Sequence, residues 1–494
     1  MTSPSLIAAA RSVLRQAIET YDGTAEATVL RDLLDRLDSS LRVAIAGKVK
    51  AGKSTLLNAL VGEEIAPTDA GECTKIVTWY RDGPTPRATL HPYHGGLRQL
   101  VPRRVGGALF LDLGGTAPSE VERLVVDWPS QSLRAMTLID TPGIASVSGE
   151  LSARAQSFLA PEDTPAQADA VLYLMRHLHA TDVRFLESFH DDDQARATPV
   201  NAIAVLSRAD EIGAGRVDAM FSAKRIAKRY RSDPHVRQLC QTVVPVAGLL
   251  AQAGMTLREA EYAALATLAR APREDVEALL LSADRFVEIE APLGREERAA
   301  LLGRLGLFGV RLSTTLIRQG IQGAGALAAE LVRRSGLTEL RHVLSTQFAQ
   351  RRDLLKARSA LLALGDLLHR HPRAGTDPLT RQIERVLAGA HELAELRLLN
   401  ALQTGAVSLR QDELAEAERL LGGTGGSPAA RLGLDPDADP TQMRACALQA
   451  LGRWQRRAES PLSTRPTADA CRILIRTCEG LYATLTAAAT TQPR

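Results

Sequence analysis

The sequence predicts an α/β domain with a mixed, mostly parallel sheet, joined to a mostly α-helical region. From about residue 41 to 248, short apolar runs alternate with helical stretches, which is typical of an α/β fold. From about residue 249 onwards the apolar spacing is almost wholly helical, with breaks at 371–375 and 422–428. The runs that most clearly indicate strands are Arg42–Ala46, Met136–Ile139, Ala170–Met175, Ala202–Leu206 and Val243–Val246.

Two further segments extend this plan. Lys75–Trp128 contains short apolar runs punctuated by Gly and Pro, which predict an additional antiparallel edge of the sheet. Ahead of the first strand, a Ser3-Pro4 start signal and the leucine spacing of residues 26–37 indicate two helices. Because these helices precede the first strand, they need an apolar partner elsewhere in the chain.

Composition and charge limit the kinds of function. The chain has 494 residues, more than one core can hold, so two or three domains are expected. A formal net charge of +3 gives no global field that would attract nucleic acid, and no nucleic-acid partner is expected. The sequence shows neither a signal peptide nor a run of about 18 apolar residues, so any membrane role should be peripheral. The five cysteines are expected to be reduced thiols of a cytosolic protein rather than zinc ligands.

A glycine-rich segment between the first strand and the next helix fits the motif G-x-x-x-x-G-K-[ST]. Its glycines let successive backbone N–H groups point inward around phosphates, and the helix N-terminus adds its positive end. We expect Lys53 to bridge the β- and γ-phosphates and Ser54 to ligate Mg²⁺. The predicted nucleotide-binding residues of this segment are Gly47, Lys48, Val49, Lys50, Ala51, Gly52, Lys53, Ser54 and Thr55.

A second motif, Asp140-Thr141-Pro142-Gly143, follows the strand at 136–139. Asp140 at the tip of an apolar strand is placed to hold Mg²⁺, and the Gly143 amide to contact the γ-phosphate. The third Mg²⁺ ligand should be a threonine between residues 62 and 76. Thr74 is the preferred candidate because it directly precedes the next strand, whereas Thr68 follows a proline and indicates a turn.

Selection of the base is expected to depend on the segment that ends the strand at 202–206. Ser207-Arg208-Ala209-Asp210 is similar to the N-K-x-D motif, in which the carboxylate accepts two hydrogen bonds from guanine and the lysine stem packs on the base. Arg208 can stack at least as well as lysine, whereas Ser207 departs from the motif. The alternative for Asp210 is a helix cap. Ala247, after the last strand, is expected to offer a backbone contact to the base.

The residue after Gly143 bears on catalysis. Small GTPases of the Ras kind place a water-orienting glutamine at this position, and here it is Ile144. Because an apolar side chain cannot orient water, hydrolysis must be organised differently.

The run Ala46–Gly62 resembles bacterial dynamin-like proteins, as do Ala66–Ala70 and Ser207–Arg216, and the likeness extends over nearly the whole chain. Within that family the chain is most similar to the mycobacterial isoniazid-inducible group. The resemblance implies neck helices at 1–39, a dynamin-type GTPase domain at 40–250, a helical extension packed on it at 251–350 and a C-terminal neck and trunk bundle at 351–494.

The resemblance also implies ligands and partners. It implies GTP with Mg²⁺, self-association as a homo-oligomer or head-to-head dimer, or pairing with a paralogous dynamin-like protein. It further implies remodelling or maintenance of an anionic lipid membrane by a cytoplasmic protein, peripheral at the inner face of the plasma membrane. In the helical part, the turn His371–Gly375, flanked by Arg370, is expected to project outward as a cationic lipid contact, with residues 422–428 as the rival.

In many dynamin-like P-loops, the residue at the position of Lys50 is small and polar and helps to hold a monovalent cation beside the phosphates. The Lys50 ammonium is expected to replace that cation, so that the catalytic residues are Lys50, Lys53 and Thr74. The alternative is that Lys50 points to solvent or to a partner head. Two other functions stay open: a GTP-binding scaffold for another dynamin-like protein, and a regulatory or ribosome-linked GTPase.

Overall fold

A nine-stranded mixed sheet organises the first half of the chain in a computed structural model. The structure describes residues 5–67, 75–105, 108–143, 167–179, 182–184, 186, 201–213, 215–403, 405–461 and 463–491. The strand order is β11-β10-β9-β1-β8-β2-β7-β3-β4, and β5 and β6 form a separate hairpin. The strands are β1 (Leu41–Gly47), β2 (Thr78–Asp82), β3 (Arg87–Pro92), β4 (Arg98–Leu100), β5 (Arg103–Val105), β6 (Ala108–Phe110), β7 (Val121–Trp128), β8 (Met136–Asp140), β9 (Ala170–Met175), β10 (Ala202–Ser207) and β11 (Val243–Val246).

The half of the sheet from β8 to β11 is parallel, as the sequence predicts. Strand β1 lies between β8 and β9 and pairs in parallel with both, and β10 joins β9 to β11 in the same direction. Every residue of β9, β10 and β11 is buried. Strands covered on both faces have no polar face to alternate with, which explains their nearly continuous apolar runs.

The other half of the sheet is the predicted edge, with one difference. Strand β2 runs antiparallel to β8, and β3 runs antiparallel to both β7 and β4. Strands β2 and β7, however, are parallel. The chain between these two strands is long enough to carry β3 to β6, so it can cross over and return in the same direction.

Helices cover both faces of the sheet and form the rest of the chain. Those beside the sheet are α3 (Lys53–Val61), α4 (Gln131–Ala135), α5 (Ala219–Ser232), α6 (Pro234–Leu239) and α7 (Gly248–Met255). The next group is α8 (Glu259–Arg270), α9 (Arg273–Leu279), α10 (Ala283–Glu288), α11 (Arg295–Arg318), α12 (Ala324–Arg334) and α13 (Leu337–Val343), and a π-helical turn, Leu344–Phe348, follows. Helices α8, α11 and α12 share an apolar core with one face of the sheet.

The two N-terminal helices find their partner far along the chain. Helix α1 (Leu6–Thr20) packs on α14 (Arg352–Arg370) and α15 (Thr376–Gly389), and α2 (Ala25–Arg36) packs on α1 and α14. We call these four helices the neck. The buried Lys356 of α14 donates to the backbone oxygen of Ser39 and, at 3.0 Å, to its hydroxyl oxygen. These bonds tie the neck to the turn that leads into β1.

The turn His371–Gly375 is exposed, but its cationic side chains are engaged by the chain itself. Tyr21 donates a hydrogen bond to the His371 carbonyl oxygen, and the Arg373 guanidinium lies 5.6 Å from the centre of the Tyr21 ring. Arg370 forms an ion pair with Asp366 at 2.5 Å. The turn therefore closes against the corner between α1 and α2 while Arg370 and Arg373 remain exposed, and the lipid contact expected here stays a prediction.

The C-terminal helices form a third apolar core, which we call the trunk. It contains α16 (His391–Gln403), α17 (Gln411–Leu420), α18 (Pro428–Leu432), α19 (Pro440–Ala458) and α20 (Arg465–Thr491). The non-helical Ala390 separates α15 from α16, and Gly389 directly before it is the signal in the sequence for this break.

Helix α11 is, by length and composition, the one described helix that could cross a membrane. Half of its most apolar stretch is buried inside the structure. Its residues Leu301, Leu305 and Phe308 belong to the core beneath the sheet. A core helix satisfies the same length and hydropathy criteria, and the expectation of a peripheral membrane role is unaffected.

The segment after α12 holds the end of β11 through a close backbone approach. Gly336 has φ +84°, and a Cβ at this position would collide with the Pro245 carbonyl oxygen. The neighbouring Ser335 carbonyl oxygen accepts a hydrogen bond of 2.9 Å from the Ala247 amide. Only glycine fits this contact, since both the conformation and the space exclude a side chain.

We expect Gly336→Ala to lower the thermal unfolding midpoint more than the matched change Gly375→Ala. Gly375 has the left-handed φ of +94°, and its hypothetical Cβ would meet only a methyl group of Thr20, at an ordinary contact distance of 3.9 Å. Both substitutions bear the left-handed cost of about 1–2 kcal/mol, and only Gly336→Ala adds a collision, worth about 1–3 kcal/mol more. Equal midpoints for the two variants, measured by circular dichroism, would contradict the close contact.

Candidate nucleotide-binding site

The loop between β1 and α3 folds around the Lys53 side chain. The Lys53 ammonium donates to the carbonyl oxygens of Gly47 at 3.2 Å and Lys48 at 3.3 Å, and the side chain is only 9% exposed. Burial lowers the pKa of Lys53, and the charge of Asp140 opposes that shift. The loop thus presents a nearly desolvated cation whose partners are neutral carbonyls, an arrangement suited to a phosphate group.

Ser54 and Asp140 form the pair that the sequence assigns to Mg²⁺. The Ser54 hydroxyl donates to Asp140 Oδ2 at 2.7 Å. The other carboxylate oxygen, Asp140 Oδ1, is buried without a hydrogen-bond partner, and burial raises the pKa of this group. An orphaned buried oxygen beside a hydroxyl fits a hard divalent cation or its bound water. Mg²⁺ bound there would offset phosphate charge, with Ser54 and Asp140 holding it.

Gly143 lies directly against the P-loop. A Cβ on Gly143 would be 2.8 Å from Val49 Cα and 2.9 Å from its backbone nitrogen. Thr141, two residues earlier, donates a 2.9 Å hydrogen bond from its hydroxyl to the Ile45 carbonyl oxygen of β1. The segment 140–143 is therefore fastened to β1, and its backbone reaches the loop that is expected to surround the phosphates.

Lys48 has a role that the sequence did not reveal. Its ammonium lies 3.1 Å from Oδ2 of Asp182, a carboxylate that is 1% exposed. Asp182 also accepts hydrogen bonds from the Tyr173 hydroxyl at 2.6 Å and from the His179 amide at 2.9 Å. This network pins the P-loop to the segment after β9. No spacing or motif around Asp182 predicts the contact, which depends on the fold alone.

A cleft of about 160 Å³ joins the P-loop to the segment after β10. Its lining includes Ala51, Gly52, Thr55, Leu56, Ser207, Arg208, Asp210, Glu211, Val246 and Gly248. Burial raises the pKa of Asp210, with the nearby Glu211 carboxylate adding to the shift. A carboxylate in the lining of this cleft can select a base that carries two adjacent donors.

Two residues of this segment are positioned differently from the expectation. Arg208 has the left-handed φ of +51° and forms a 2.6 Å ion pair with Glu211, so its guanidinium is held at the mouth of the cleft. Ser207 donates to the Met175 carbonyl oxygen at 3.3 Å. The serine hydroxyl therefore links β10 to β9, where the usual asparagine would provide a longer side chain.

The prediction for Ala247 is wrong in its detail. The Ala247 amide donates to the Ser335 carbonyl oxygen, and the residue is fully buried outside the cleft lining. Val246 and Gly248, on either side of it, line the cleft instead. A sequence pattern locates a loop to within about one residue. The direction of each successive peptide group then decides which backbone amide faces the ligand.

The two threonine candidates, Thr68 and Thr74, lie outside the described residues, as does Ile144. The chain immediately before the threonines is well anchored. The buried side chain of Asn58 accepts hydrogen bonds from the amides of Ile65 and Ala66 and donates to the Ala66 carbonyl oxygen. These hydrogen bonds fix the positions of Ile65 and Ala66, just before the segment that contains the two threonines.

Lys50 stands apart from the other P-loop lysines. Its φ of +61° is unusual for a residue that carries a Cβ. The side chain is exposed, and within the described part of the chain it makes no ion pair or side-chain hydrogen bond. Left-handed conformations of non-glycine residues concentrate at functional sites, where the surrounding structure holds them.

Helix α11 contacts two loops that flank the cleft. Arg304 forms ion pairs with Glu64 and, at 2.8 Å, with Glu261, and donates to the Thr256 carbonyl oxygen at 3.0 Å. Seven residues later, Arg311 donates to the carbonyl oxygens of Gly215 and Leu280. Helix α11 therefore binds both the segment that precedes residue 68 and the segment that follows Asp210.

Comparison with known proteins adds evidence independent of this geometry. The 50S ribosome-binding GTPase family matches residues 42–205. Isoniazid-induced protein IniC of Mycobacterium tuberculosis is 44% identical over 97% of this chain and 98% of its own. A bacterial dynamin-like protein of Nostoc punctiforme is 30% identical over 21% of this chain and 16% of its own, and dynamin-like protein A of Bacillus subtilis is 28% identical over 36% and 14%. The expected resemblance is confirmed: the chain belongs to the family of isoniazid-induced protein IniC and has weaker similarity to bacterial dynamin-like proteins.

Proposed function

We propose that this protein binds GTP with Mg²⁺ and hydrolyses it, and that turnover is coupled to self-association at a membrane. The observation that carries the proposal is the single cleft that joins the P-loop residues Ala51 and Gly52 to Asp210. At the loop end of this arrangement lie the buried Lys53 and the Ser54–Asp140 pair. A phosphate chain, a divalent cation and a purine base each have matching groups there.

The choice of guanine rests on Asp210. Guanine offers two neighbouring N–H donors on one edge, and a carboxylate can accept both. Adenine presents an acceptor at that edge, which would leave the half-buried carboxylate without a donor. Arg208 would pack over the base by leaving Glu211, because that pair is exposed to solvent and its loss costs little.

Coupling to self-association is supported by where Lys50 and α11 lie. Lys50 is exposed beside the phosphate-binding loop, so it can act on its own nucleotide or meet a second head. Arg304 and Arg311 of α11 contact the loops on both sides of the cleft. A rearrangement of either loop on nucleotide binding would change these contacts and reach the helices beyond the sheet.

The membrane part of the proposal comes from the family. We place the protein in the cytoplasm, peripheral at the inner face of the plasma membrane, where it would remodel or maintain anionic lipid. Its partner would be a second copy or a paralogous dynamin-like protein.

A GTP-binding scaffold that hydrolyses little is the main alternative function, and turnover measurements separate it from the proposed one. A regulatory or ribosome-linked GTPase is the second alternative, and the large helical half of the chain counts against it.

The deciding experiment is GTP turnover by purified protein with and without anionic liposomes, over a dilution series. We expect the rate per molecule to fall on dilution, because Ile144 stands where Ras-like GTPases place the glutamine that orients water. Lys53→Ala should remove nucleotide binding or turnover, since the phosphate charge loses its buried partner. Retained hydrolysis in Lys53→Ala would show that the P-loop assignment is wrong, and a flat rate across dilution would contradict the self-association.

Exchange of one carboxylate should change the base specificity. Asp210→Asn is expected to lose GTP affinity and gain xanthosine triphosphate, because an amide presents one donor and one acceptor where the carboxylate accepts twice. The wild type should prefer GTP over ATP by up to about 10⁴-fold. Asp218→Asn is a matched control, since Asp218 lies in the same loop region and pairs with the exposed Arg216. Equal ATP and GTP affinities in the wild type would remove Asp210 from this role.

Removal of the Lys50 ammonium should affect hydrolysis more than binding. We expect Lys50→Ser to slow turnover by about 10²-fold or more and to leave GTP affinity nearly unchanged, because a cation beside the breaking bond acts in the transition state. Lys50→Gly is the sharper variant, since glycine keeps the left-handed backbone and deletes only the side chain.

The same proposal predicts an ion dependence. Wild-type turnover should be equal in sodium and potassium buffers, because no monovalent ion is recruited. Normal hydrolysis by Lys50→Gly, or a potassium requirement of the wild type, would exclude Lys50 as the catalytic cation.

A further inference from the structure

The outer edge of the sheet carries an exposed apolar and cationic surface. The segment 83–111, between Asp82 and Asp112, contains four arginines and two histidines and no carboxylate. Four large apolar side chains in this segment are exposed to solvent. We call these four, together with Arg87 and Arg103, the edge patch: Tyr93 (54% exposed), Leu97 (66%), Val101 (73%) and Phe110 (54%).

These side chains follow one line along the edge of the fold. Leu97 and Val101 stand immediately before and after β4, about 13 Å apart for four extended residues. Phe110 pairs across the β5–β6 hairpin with Arg103, two residues beyond Val101. Tyr93 begins the turn that leads from β3 to Leu97. The patch is thus a contiguous strip rather than a set of scattered exposed residues.

The positive charge of the strip is compensated only in part. Arg98 and Arg104 are occupied, by Thr116 at 2.5 Å and by Glu63 at 2.8 Å respectively. Arg87 and Arg103 are exposed and form no ion pair with any residue that the structure describes. An apolar strip flanked by free guanidinium groups, without a carboxylate in 29 consecutive residues, favours an anionic surface with an apolar interior.

The edge is poorly suited to a protein strand. Strand β4 has only three residues and begins with the charged Arg98, and Pro102 follows two residues after its end. Short, charged and proline-flanked edges are the features that prevent a second strand from adding to a sheet. A protein surface would also be expected to present both signs of charge to a complementary one, whereas this segment offers one sign only.

We propose that the edge patch is a membrane-contact surface, which binds the anionic headgroup region while Tyr93, Leu97, Val101 and Phe110 enter the apolar boundary. Tyrosine and arginine are residues that reside at such an interface. The inference rests on the proposed membrane association and assigns the contact to the GTPase domain rather than to the trunk. This contact would hold the edge of the sheet against the lipid.

The test compares the edge patch with a matched surface on α5. The edge variants are Leu97→Ser with Val101→Ser, and Arg87→Glu with Arg103→Glu. The controls are Val217→Ser, just before α5, with Phe221→Ser in α5, at side chains that are 49% and 67% exposed, and Lys224→Glu with Lys228→Glu, both in α5. Each control pair changes the same kind of apolar side chain, or the same number of positive charges, as the corresponding edge pair. Full-length protein is sedimented with vesicles of phosphatidylcholine alone or with 30% phosphatidylglycerol.

We expect wild type to bind the vesicles that contain phosphatidylglycerol, both edge variants to bind at least about tenfold more weakly, and both α5 variants to bind as wild type does. Unchanged GTP turnover without vesicles shows that the edge variants are folded. Unchanged vesicle binding by the edge variants, or equal losses from the α5 variants, would overturn the inference and leave the proposed membrane function standing. Absence of binding by wild type in every nucleotide state would instead reject membrane association itself.

The fluorescence of an introduced tryptophan gives a second measurement. Val101→Trp should show a blue-shifted tryptophan emission on addition of the anionic vesicles, and Phe221→Trp should not. If the edge variants lose self-association in size-exclusion chromatography without lipid, the surface is a protein interface and the lipid assignment is wrong.

Discussion

The candidate site depends on the position of β1 in the middle of a parallel array. Because β1 pairs in the same direction with β8 and β9, and β9 with β10, the carboxyl ends of all these strands meet at one edge of the sheet. The P-loop, Asp140 and Asp210 follow the ends of β1, β8 and β10. The P-loop and Asp210, which are about 160 positions apart in the chain, therefore lie close together because of the strand order alone. Strand β1 is buried along most of its length, so the site has an apolar foundation.

Arginine side chains connect this foundation to the helices around it. Arg341 of α13 donates to the carbonyl oxygens of Ala59 and Leu60 at the C-terminal end of α3, where the helix leaves acceptors unsatisfied and carries negative partial charge. Arg304 and Arg311 bind acceptors on the loops at either side of the cleft. Each bond joins the helix that follows the P-loop, or a loop beside the nucleotide, to a distant helix. This is a physical route by which a change at the nucleotide can reach the rest of the molecule.

The strands and motifs could be predicted because their signals are local. Parallel strands buried on both faces show as apolar runs, and the P-loop requires its glycines and lysine at fixed spacing. Contacts that join distant segments left no such signal: Asp182 is one acidic residue among many until the fold brings it to Lys48. The Ala247 amide was assigned to the wrong side because the choice depends on Ser335, nearly 90 residues later. The same is true of the turn at 371–375, whose outward reach seemed clear from helix length but which Tyr21 covers in part.

The three lysines of the P-loop illustrate how position separates residues of one type. Lys48 is neutralised by a buried carboxylate, so it adds no charge to the loop and instead fixes the loop in place. Lys53 is buried against carbonyl oxygens, which leaves its charge uncompensated in a desolvated setting, where it acts most strongly on a phosphate. Lys50 is exposed and is held in a left-handed conformation that costs free energy. A glycine would relieve that cost, and among the described residues no ion pair or side-chain hydrogen bond accounts for the lysine. Its proposed catalytic role therefore rests on the charge that it carries beside the phosphate-binding loop.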